Sequence, residues 1–208
     1  MIDEPKADAT ADATADVSAD NIEGTATSPE AMLEALSAQA AEFALFPAST
    51  RAHYMFAYDL LMEQALVSRL VKKLLVAHVV SLPNHKLVWP YFYPPAGSSL
   101  PGLLRTNHEE DVVWGVLYDA SGKDLSQLES YIRVPNRYHK RGVMTRDRGG
   151  RRIPAFTYTI SIFDPVPVQP STDYITQIVS CAEDRGLPGE WIEQLKSLPT
   201  AQESMGGQ

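Results

Sequence analysis

The sequence predicts an α+β fold built around a small closed or partly closed β-barrel, and two observations carry this prediction. Short apolar runs bounded by turn residues recur through the middle of the chain, with few helical segments between them. The last long run alternates in the period-two pattern of a strand. One predicted face carries Phe156, Tyr158, Ile160 and Ile162, and the other carries Ala155, Thr157, Thr159 and Ser161. This pattern predicts one packed face and one less apolar face.

The remaining elements follow from periodicity and turn signals. Strands are predicted at residues 53–58, 74–81, 86–91, 111–118, 138–146 and 153–163, with a further short apolar segment at 102–106. Helices are predicted at residues 61–71, 172–185 and 190–198, and another opens at Ser121 or Lys123 and ends before Pro135. Residues 93–99 are predicted to form a loop, because proline, glycine and serine dominate them.

The ends of the chain are predicted to differ from the single domain at residues 29–198. Residues 1–28 form a predicted disordered acidic tail, because their Ala-Asp-Ala-Thr repeats offer few large apolar side chains to bury. Ser28, Pro29 and Glu30 are typical of a helix start, which predicts an added N-terminal helix at residues 29–45. Residues 199–208 are predicted to be a flexible tail.

The charge of the chain is concentrated in its first 30 residues. Eight acidic residues stand there against Lys6, a local balance of −7, so the net charge of −8 leaves only −1 for the rest. A folded part so close to neutral gives no reason to expect a nucleic-acid or membrane partner. The sequence makes no prediction of oligomeric state.

The single cysteine, Cys181, excludes an intramolecular disulfide and suits a reducing compartment. Its position on a predicted helix predicts a small buried hydrophobic side chain rather than a nucleophile. The N-terminus lacks the features of a signal peptide, and no apolar run reaches the ~18 residues that span a bilayer. These observations predict a cytoplasmic protein.

The histidines do not predict a metal site. No pair of them has the spacing of metal ligands on one helix, and we expect neither a metal nor another cofactor. The five are His53, His78, His85, His108 and His139.

Three segments carry a resemblance to a known family. An apolar strand at residues 112–118 with Gly115 at its centre leads into the helix at 125–132, and a Pro170-Ser171 start precedes a later helix with Tyr174. With the upstream Phe56-Ala57-Tyr58, they resemble the γ-glutamylcyclotransferase-like, or AIG2-like, family. The resemblance covers about residues 53–198. It implies a small mixed β-barrel with flanking helices and one pocket at the end of the barrel.

The first departure from the family pattern lies after the first strand. In active members this strand ends in Tyr-Gly-Ser-Asn, and the backbone amides of that loop bind the γ-glutamyl carboxylate. Here Tyr58 is followed by Asp59, Leu60 and Leu61. A carboxylate at this position would repel the carboxylate of such a substrate.

The second departure concerns the general base. The family helix reads Leu-Asp-x-x-Glu, and its last residue takes a proton from the substrate amine. The matching run here places Glu129 near the family aspartate and Ile132 at the position of the base. Because isoleucine cannot exchange a proton, the resemblance does not carry ordinary cyclotransferase activity to this chain.

The remaining polar and aromatic side chains predict a site with new chemistry. Candidate catalytic residues are Asp59, Glu129 and His139. Candidate substrate-binding residues are Tyr58, Leu60, Tyr131, Ile132, Tyr138 and Tyr174, although core packing alone could explain the tyrosines. The aromatic run at 89–95 could wall an apolar site or pack on the surface. The basic run at 137–152 is interpreted mainly as a solvated hairpin.

The leading hypothesis is a diverged enzyme that acts on a small, fairly apolar metabolite without a cofactor, with natural-product biosynthesis as one setting. Its chemistry would be proton transfer, as in cyclisation, isomerisation or elimination, and so of the lyase or isomerase type. Two alternatives stay open. One is orthodox release of 5-oxoproline from a γ-glutamyl amine such as a glutathione adduct. The other is a non-catalytic protein that binds a ligand or partner in the old pocket.

Overall fold

A computed structural model of the chain describes residues 53–160, 164 and 168–201. Its strands are β1 (Tyr54–Ala57), β2 (Val76–Pro83), β3 (His85–Tyr93), β4 (Ser98–Arg105), β5 (Val112–Asp119), β6 (Tyr138–Asp147) and β7 (Arg152–Ile160). The α-helices are α1 (Gln64–Leu70), α2 (Ser126–Ile132), α3 (Thr172–Asp184) and α4 (Gly189–Lys196), and 3₁₀ turns occupy Leu60–Met62 and Pro94–Ala96.

Five strands close into a mixed barrel in the order β1-β5-β2-β6-β7. The barrel closes because β1 pairs in parallel with β7, whereas the other neighbours pair antiparallel. Strands β3 and β4 form a separate two-stranded antiparallel sheet. The prediction of an α+β fold with a small mixed β-barrel and flanking helices is confirmed.

Strand β5 runs between β1 and β2, and Gly115 at its centre is explained by the approach of β1. A Cβ atom at this position would overlap the carbonyl oxygen of Ala57 and lie 2.8 Å from Cε2 of Phe56. Glycine is therefore required here for close packing of two strands rather than for an unusual backbone angle. The contact fixes the end of β1, where Tyr58 and Asp59 follow.

Both faces of β7 are packed within the described residues, and the face with Ala155, Thr157 and Thr159 is the less apolar one, as predicted. All six residues from Ala155 to Ile160 are buried. The threonines tolerate burial because their hydroxyl groups find backbone partners. Thr157 Oγ1 donates to the Phe56 carbonyl at 2.9 Å, and Thr159 Oγ1 accepts from the Leu103 amide at 3.0 Å. Ser161 and Ile162 of the predicted strand lie outside the described residues.

Three other elements differ from their predicted bounds. The predicted helix at 61–71 is interrupted at Glu63, whose extended backbone (φ −72°, ψ 111°) separates the 3₁₀ turn from α1. The predicted loop at 93–99 is shorter, because pairing with β3 extends β4 back to Ser98. Helix α2 begins only at Ser126, after the Asp124 carboxylate accepts from its amide in a turn.

The segments predicted at the two ends of the chain are only partly covered by the described residues. The predicted acidic tail at 1–28 and added helix at 29–45 lie outside the described residues, as do 202–208 of the predicted C-terminal tail. Residues 199–201 of that tail are held in place. The Ala201 amide donates to the Pro170 carbonyl at 2.8 Å, and Thr172 Oγ1 donates to Thr200 Oγ1 at 3.1 Å, so the tail begins bound to the start of α3.

Helix α3 packs against α4 and the 3₁₀ turn at Leu60–Met62, and it buries Cys181. Burial raises the pKa of the thiol to about 11, with the Glu63 and Asp184 carboxylates adding to the shift. We expect the folded protein to react with a disulfide reagent at pH 8 at less than about a tenth of the rate of the urea-unfolded chain. Equal rates in the two states would show that Cys181 is accessible.

In the described residues, no helix combines the length and apolarity needed to cross a bilayer.

Candidate functional site

The feature that distinguishes this barrel end is a buried carboxylate. Asp59 lies two residues after the end of β1, is 4% exposed, and forms the N-cap of the 3₁₀ turn. Its Oδ1 accepts a hydrogen bond from the Leu61 amide at 2.9 Å, and its Oδ2 accepts none from the described residues. Burial raises the pKa of this carboxyl to about 6, against the lowering effect of the Leu61 amide.

Three buried tyrosines from different elements lie near enough to this carboxylate for its charge to raise their pKa values. Tyr58 comes from the end of β1, Tyr138 from the start of β6 and Tyr174 from the first turn of α3, and all three are buried. Burial raises the pKa of each, and the negative charge of Asp59 is the second cause in all three. These four residues are called the Asp59 cluster below.

The three tyrosine hydroxyl groups of the cluster differ in whether they have a hydrogen-bond partner among the described residues. The Tyr58 hydroxyl lies 3.4 Å from the Pro101 carbonyl oxygen and 3.3 Å from the Tyr158 carbonyl oxygen. The hydroxyls of Tyr138 and Tyr174 form no hydrogen bond to the described residues. They can therefore serve a bound molecule.

Local capping fixes Tyr174 at the cluster. Ser171 caps α3, and its Oγ accepts from the Tyr174 amide at 3.2 Å. Ser98 Oγ in turn accepts from the Ser171 amide at 2.9 Å, which ties the helix start to β4. The predicted Pro-Ser-x-x-Tyr start thus acts as a capping device that holds a tyrosine over the barrel end.

Aromatic side chains from β3 extend the wall of the cluster. The Trp89 ring meets Tyr174 edge-on, with ring centres 6.1 Å apart. Tyr91 stacks on Tyr93, and the Arg137 guanidinium lies 3.8 Å from the Tyr93 ring centre. Most of the aromatic run at 89–95 thus lies on β3, and its tryptophan contacts the cluster.

Glu129 lies in a different environment from Asp59. Its Oε1 accepts a hydrogen bond from the Tyr158 hydroxyl at 2.7 Å and lies 3.4 Å from Lys140 Nζ. Lys140 also lies 4.2 Å from the Phe156 ring centre. About a third of the Glu129 side chain is exposed, so the carboxylate is a partly solvated member of an ion pair.

The other candidate residues fall outside the cluster. Ile132 is 6% exposed and belongs to the hydrophobic core, whereas Tyr131 is 56% exposed. Leu60 is half-buried against the core. His139 is half-buried on β6 and pairs with Thr159 across the sheet, and as the next residue along the strand it points to the face opposite Tyr138.

The basic run at 137–152 is occupied by structural contacts. Arg146 pairs with Glu109 at 3.5 Å, Arg151 pairs with Asp147 at 3.0 Å, and Arg148 donates to the Gly186 carbonyl at 2.7 Å. These contacts support the interpretation of a structural hairpin. Lys140, the ion-pair partner of Glu129, is a contact that sequence reasoning missed. Its only signal was the alternation along β6, which does not specify partners.

Within residues 53–160, 164 and 168–201, no group of three histidine, cysteine, aspartate or glutamate side chains is arranged to hold a metal ion.

Comparison with known proteins identifies the relatives of this barrel. The model of the AIG2-like family matches residues 112–195, which run from β5 to α4. Over this segment the chain is similar to the AIG2-like family. The resemblance stated from the sequence is confirmed by this match and by the solved structures below.

Several solved structures share the fold of this chain. One titled gamma-glutamyl cyclotransferase has 21% sequence identity and a TM-score of 0.65, covering 73% of this chain and 90% of its own. The human uncharacterized protein loc79017 has 21% identity and a TM-score of 0.64, covering 72% and 89%. YkqA from Bacillus subtilis has 23% identity and a TM-score of 0.58, covering 74% and 57%. No curated protein sequence matches the chain.

Proposed function

We propose that this AIG2-like protein is an enzyme that transfers a proton to or from a small, fairly apolar substrate, with Asp59 as the acid–base group. The observation that carries the proposal is the buried Asp59 carboxyl, whose pKa of about 6 lies close to neutral pH. A general base is most effective when its pKa lies near the working pH. Perturbed carboxyls of this kind concentrate at functional sites.

The hydrogen bonding of Asp59 suits this role. One oxygen is held by the Leu61 amide, so the side chain has a fixed orientation. The other oxygen forms no hydrogen bond to the described residues and can take a proton from a substrate. The Tyr138 and Tyr174 hydroxyls then supply donors for an oxygen atom of the substrate on which charge develops.

The walls of the cluster favour an apolar substrate. Three tyrosine rings and the Trp89 ring offer large apolar surfaces with a few polar atoms, which is the usual composition of a small-molecule site. Cyclisation, isomerisation and elimination each need a carboxylate that accepts a proton from such a substrate. Natural-product biosynthesis is one setting that supplies substrates of this kind.

The local backbone argues against ordinary binding of a γ-glutamyl group. The amides of Leu61, Met62 and Glu63 are all used inside the turn, by Asp59 Oδ1, the Asp59 carbonyl and the Leu60 carbonyl respectively. The Asp59 carboxylate thus occupies an amide that the family resemblance assigns to the substrate. A substrate carboxylate would find this backbone amide already hydrogen-bonded, and the Asp59 carboxylate would repel it.

Two alternatives have an observation in their favour. The name of one structural neighbour, gamma-glutamyl cyclotransferase, favours release of 5-oxoproline from a γ-glutamyl amine. The burial of Ile132 in the core, at the position of the family base, favours a non-catalytic binding protein.

One experiment separates the three functions. The wild-type protein and its Asp59→Asn variant are incubated with metabolite fractions and with a panel of γ-glutamyl amines, and products are followed by mass spectrometry. The proposal predicts a product that requires Asp59 and is not 5-oxoproline. Release of 5-oxoproline would establish the first alternative, and ligand depletion without a product would establish the second.

Glu129 provides a contrasting prediction. Its ion pair with Lys140 is partly solvated, and glutamine keeps an oxygen that can accept from Tyr158. We therefore propose a positioning role for Glu129 and expect Glu129→Gln to cost about 1 kcal/mol or less in free energy of unfolding. Turnover of the new product should fall less than about tenfold, measured beside Asp59→Asn. A loss as large as that of Asp59→Asn would make Glu129 the base.

A further inference from the structure

A cavity lies away from the Asp59 cluster, between α4 and the starts of β3 and β5. It has a volume of about 330 Å³, within the range of small-molecule sites. Its walls include His85 and Lys86 of β3, Glu110 and Asp111 of the turn before β5, and Glu190 and Trp191 of α4. We call it the α4 groove, and none of the four residues of the Asp59 cluster lines it.

The walls of the α4 groove are held by the fold. The His85 amide donates to the Asp111 carbonyl at 3.0 Å, which joins β3 to the turn before β5. The Leu187 amide donates to the Ala182 carbonyl at 3.0 Å, and this bond sets the entry of the chain into α4. Because both walls are fixed, the groove exists before a ligand arrives.

The side chains that line the α4 groove carry a net negative charge, whereas the residues after position 30 are close to neutral as a whole. Among its lining residues, the carboxylates of Glu110, Asp111 and Glu190 stand against the ammonium group of Lys86, and Glu110 also lies 3.4 Å from the His108 ring. Lys86 Nζ lies 3.4 Å from Asp111 Oδ1, whereas Asp111 Oδ2 is buried without a hydrogen-bond partner in the described residues. A positive charge in the groove would offset this imbalance.

The groove also presents indole rings. Trp191 is 5% exposed and Trp114 is half-buried, and both line the cavity. Tryptophan is the most favourable aromatic partner of a cation, and its ring also packs against an alkyl chain. Carboxylates and indoles around one cavity form a combination that suits an alkylammonium group.

We propose that the α4 groove binds an organic cation with an alkyl stem, such as a primary alkylammonium. The stem packs on Trp114 and Trp191, and the ammonium group lies toward the carboxylates of Glu110, Asp111 and Glu190. The acidic first 30 residues of the chain are repelled by these carboxylates and are unsuitable occupants. The site is independent of the Asp59 cluster and of the reaction proposed there.

The test uses pentylammonium chloride as the probe and pentanol as its uncharged counterpart. Nuclear magnetic resonance spectra report the indole N–H signals of Trp191 and Trp114 at the groove and of Trp89 at the Asp59 cluster. We expect pentylammonium to shift the groove signals with a dissociation constant on the order of 1 mM, and pentanol to bind at least about fivefold more weakly. Equal binding of the two probes, or shifts confined to Trp89, would overturn the proposal.

Two glutamates on α4 give a matched pair of variants. Glu190 lines the groove, whereas Glu193 pairs with Lys196 at 3.1 Å outside it. We expect Glu190→Gln to weaken pentylammonium binding about threefold and Glu193→Gln to leave it unchanged. An equal effect of both variants would show that only the overall charge matters and would contradict a site. Nα-acetyl-lysine amide, tested beside pentylammonium, distinguishes a peptide side chain from a free amine as the natural source.

Discussion

Replacing Asp59 with asparagine is expected to abolish turnover while making the folded protein more stable at neutral pH. Asparagine matches aspartate in shape, and its Oδ1 can still accept from the Leu61 amide, so the 3₁₀ turn is retained. The variant loses the group that exchanges the proton. Loss of a general base costs at least about 100-fold in rate, measured on the product that the metabolite screen identifies.

The gain in stability follows from the direction of the pKa shift. Burial raises the pKa of Asp59 from 3.8 to about 6 in the folded protein. The folded state therefore binds the proton more tightly than the unfolded chain, and stability falls as pH rises from about 4 to about 6. Above pH 6 the ionised Asp59 lowers the free energy of unfolding by its full amount, which is at most about 3 kcal/mol at 1.36 kcal/mol per pKa unit.

Urea unfolding of the wild type and Asp59→Asn at pH 4 and pH 7.5 measures this effect. We expect the variant to be more stable by about 1 to 3 kcal/mol at pH 7.5, with a much smaller difference at pH 4. Asp124→Asn is the matched control, because Asp124 Oδ1 also accepts from the amide two residues ahead at 2.9 Å but is exposed to solvent. That bond lowers the pKa of Asp124, so its replacement should not stabilise the protein.

The same carboxyl predicts the pH dependence of the reaction. If Asp59 acts as a base, it must be ionised, and kcat/KM should fall tenfold per pH unit below an apparent pKa of about 6. Above that value the rate should be flat until another group titrates. A profile without an acidic limb would mean that the ionised Asp59 is not required.

Replacing Gly115 with alanine is expected to give the largest loss of stability among single-methyl changes in the barrel. The added Cβ would overlap the Ala57 carbonyl oxygen and lie 2.8 Å from Cε2 of Phe56. The backbone of β1 must then move, because a carbonyl within a paired strand cannot rotate away as a side chain can. We expect a loss of about 3 kcal/mol or more, at the upper end of the costs of overpacking.

The matched control is Gly189→Ala, since no atom lies within 4 Å of the position of its Cβ. We expect that variant to unfold within about 0.5 kcal/mol of the wild type. The Gly115 variant should also lose activity, because Ala57 leads directly into Tyr58 and Asp59. A Gly115 variant as stable as the Gly189 variant would contradict the close approach of β1 and β5.

Patterns local in sequence predicted much of this fold. The predicted strand at 111–118 and the predicted helix at 172–185 agree with β5 and α3 to within one residue at each end, because both have clear periodicity and clear boundaries. The paired β3–β4 sheet was not predicted. Its second strand contains Pro101 and Gly102 after a turn-like segment, and its pairing depends on distant contacts with β3.

The residues of the candidate site could be predicted from the sequence, but their positions next to one another could not. The tyrosines at 58, 138 and 174 and the aspartate at 59 come from β1, β6 and α3, and only the tertiary fold brings them together. The Asp59 pKa depends on burial, which no local pattern gives. In the sequence, Glu129 and Asp59 were both candidate catalytic carboxylates. In the structure, Glu129 accepts a hydrogen bond from Tyr158 and forms a partly solvated ion pair with Lys140.

Titration of the Asp59 carboxyl carbon by nuclear magnetic resonance tests the central claim most directly, with Asp59→Asn used to identify the signal. We predict that Asp59 titrates with a pKa of about 6, because it is buried beside three tyrosines. Asp119, Asp124 and Asp147, whose pKa values are lowered by hydrogen bonds to nearby groups, should titrate below 3.8 in the same spectra. An Asp59 that titrates with these three would contradict its role as the acid–base group of a buried site.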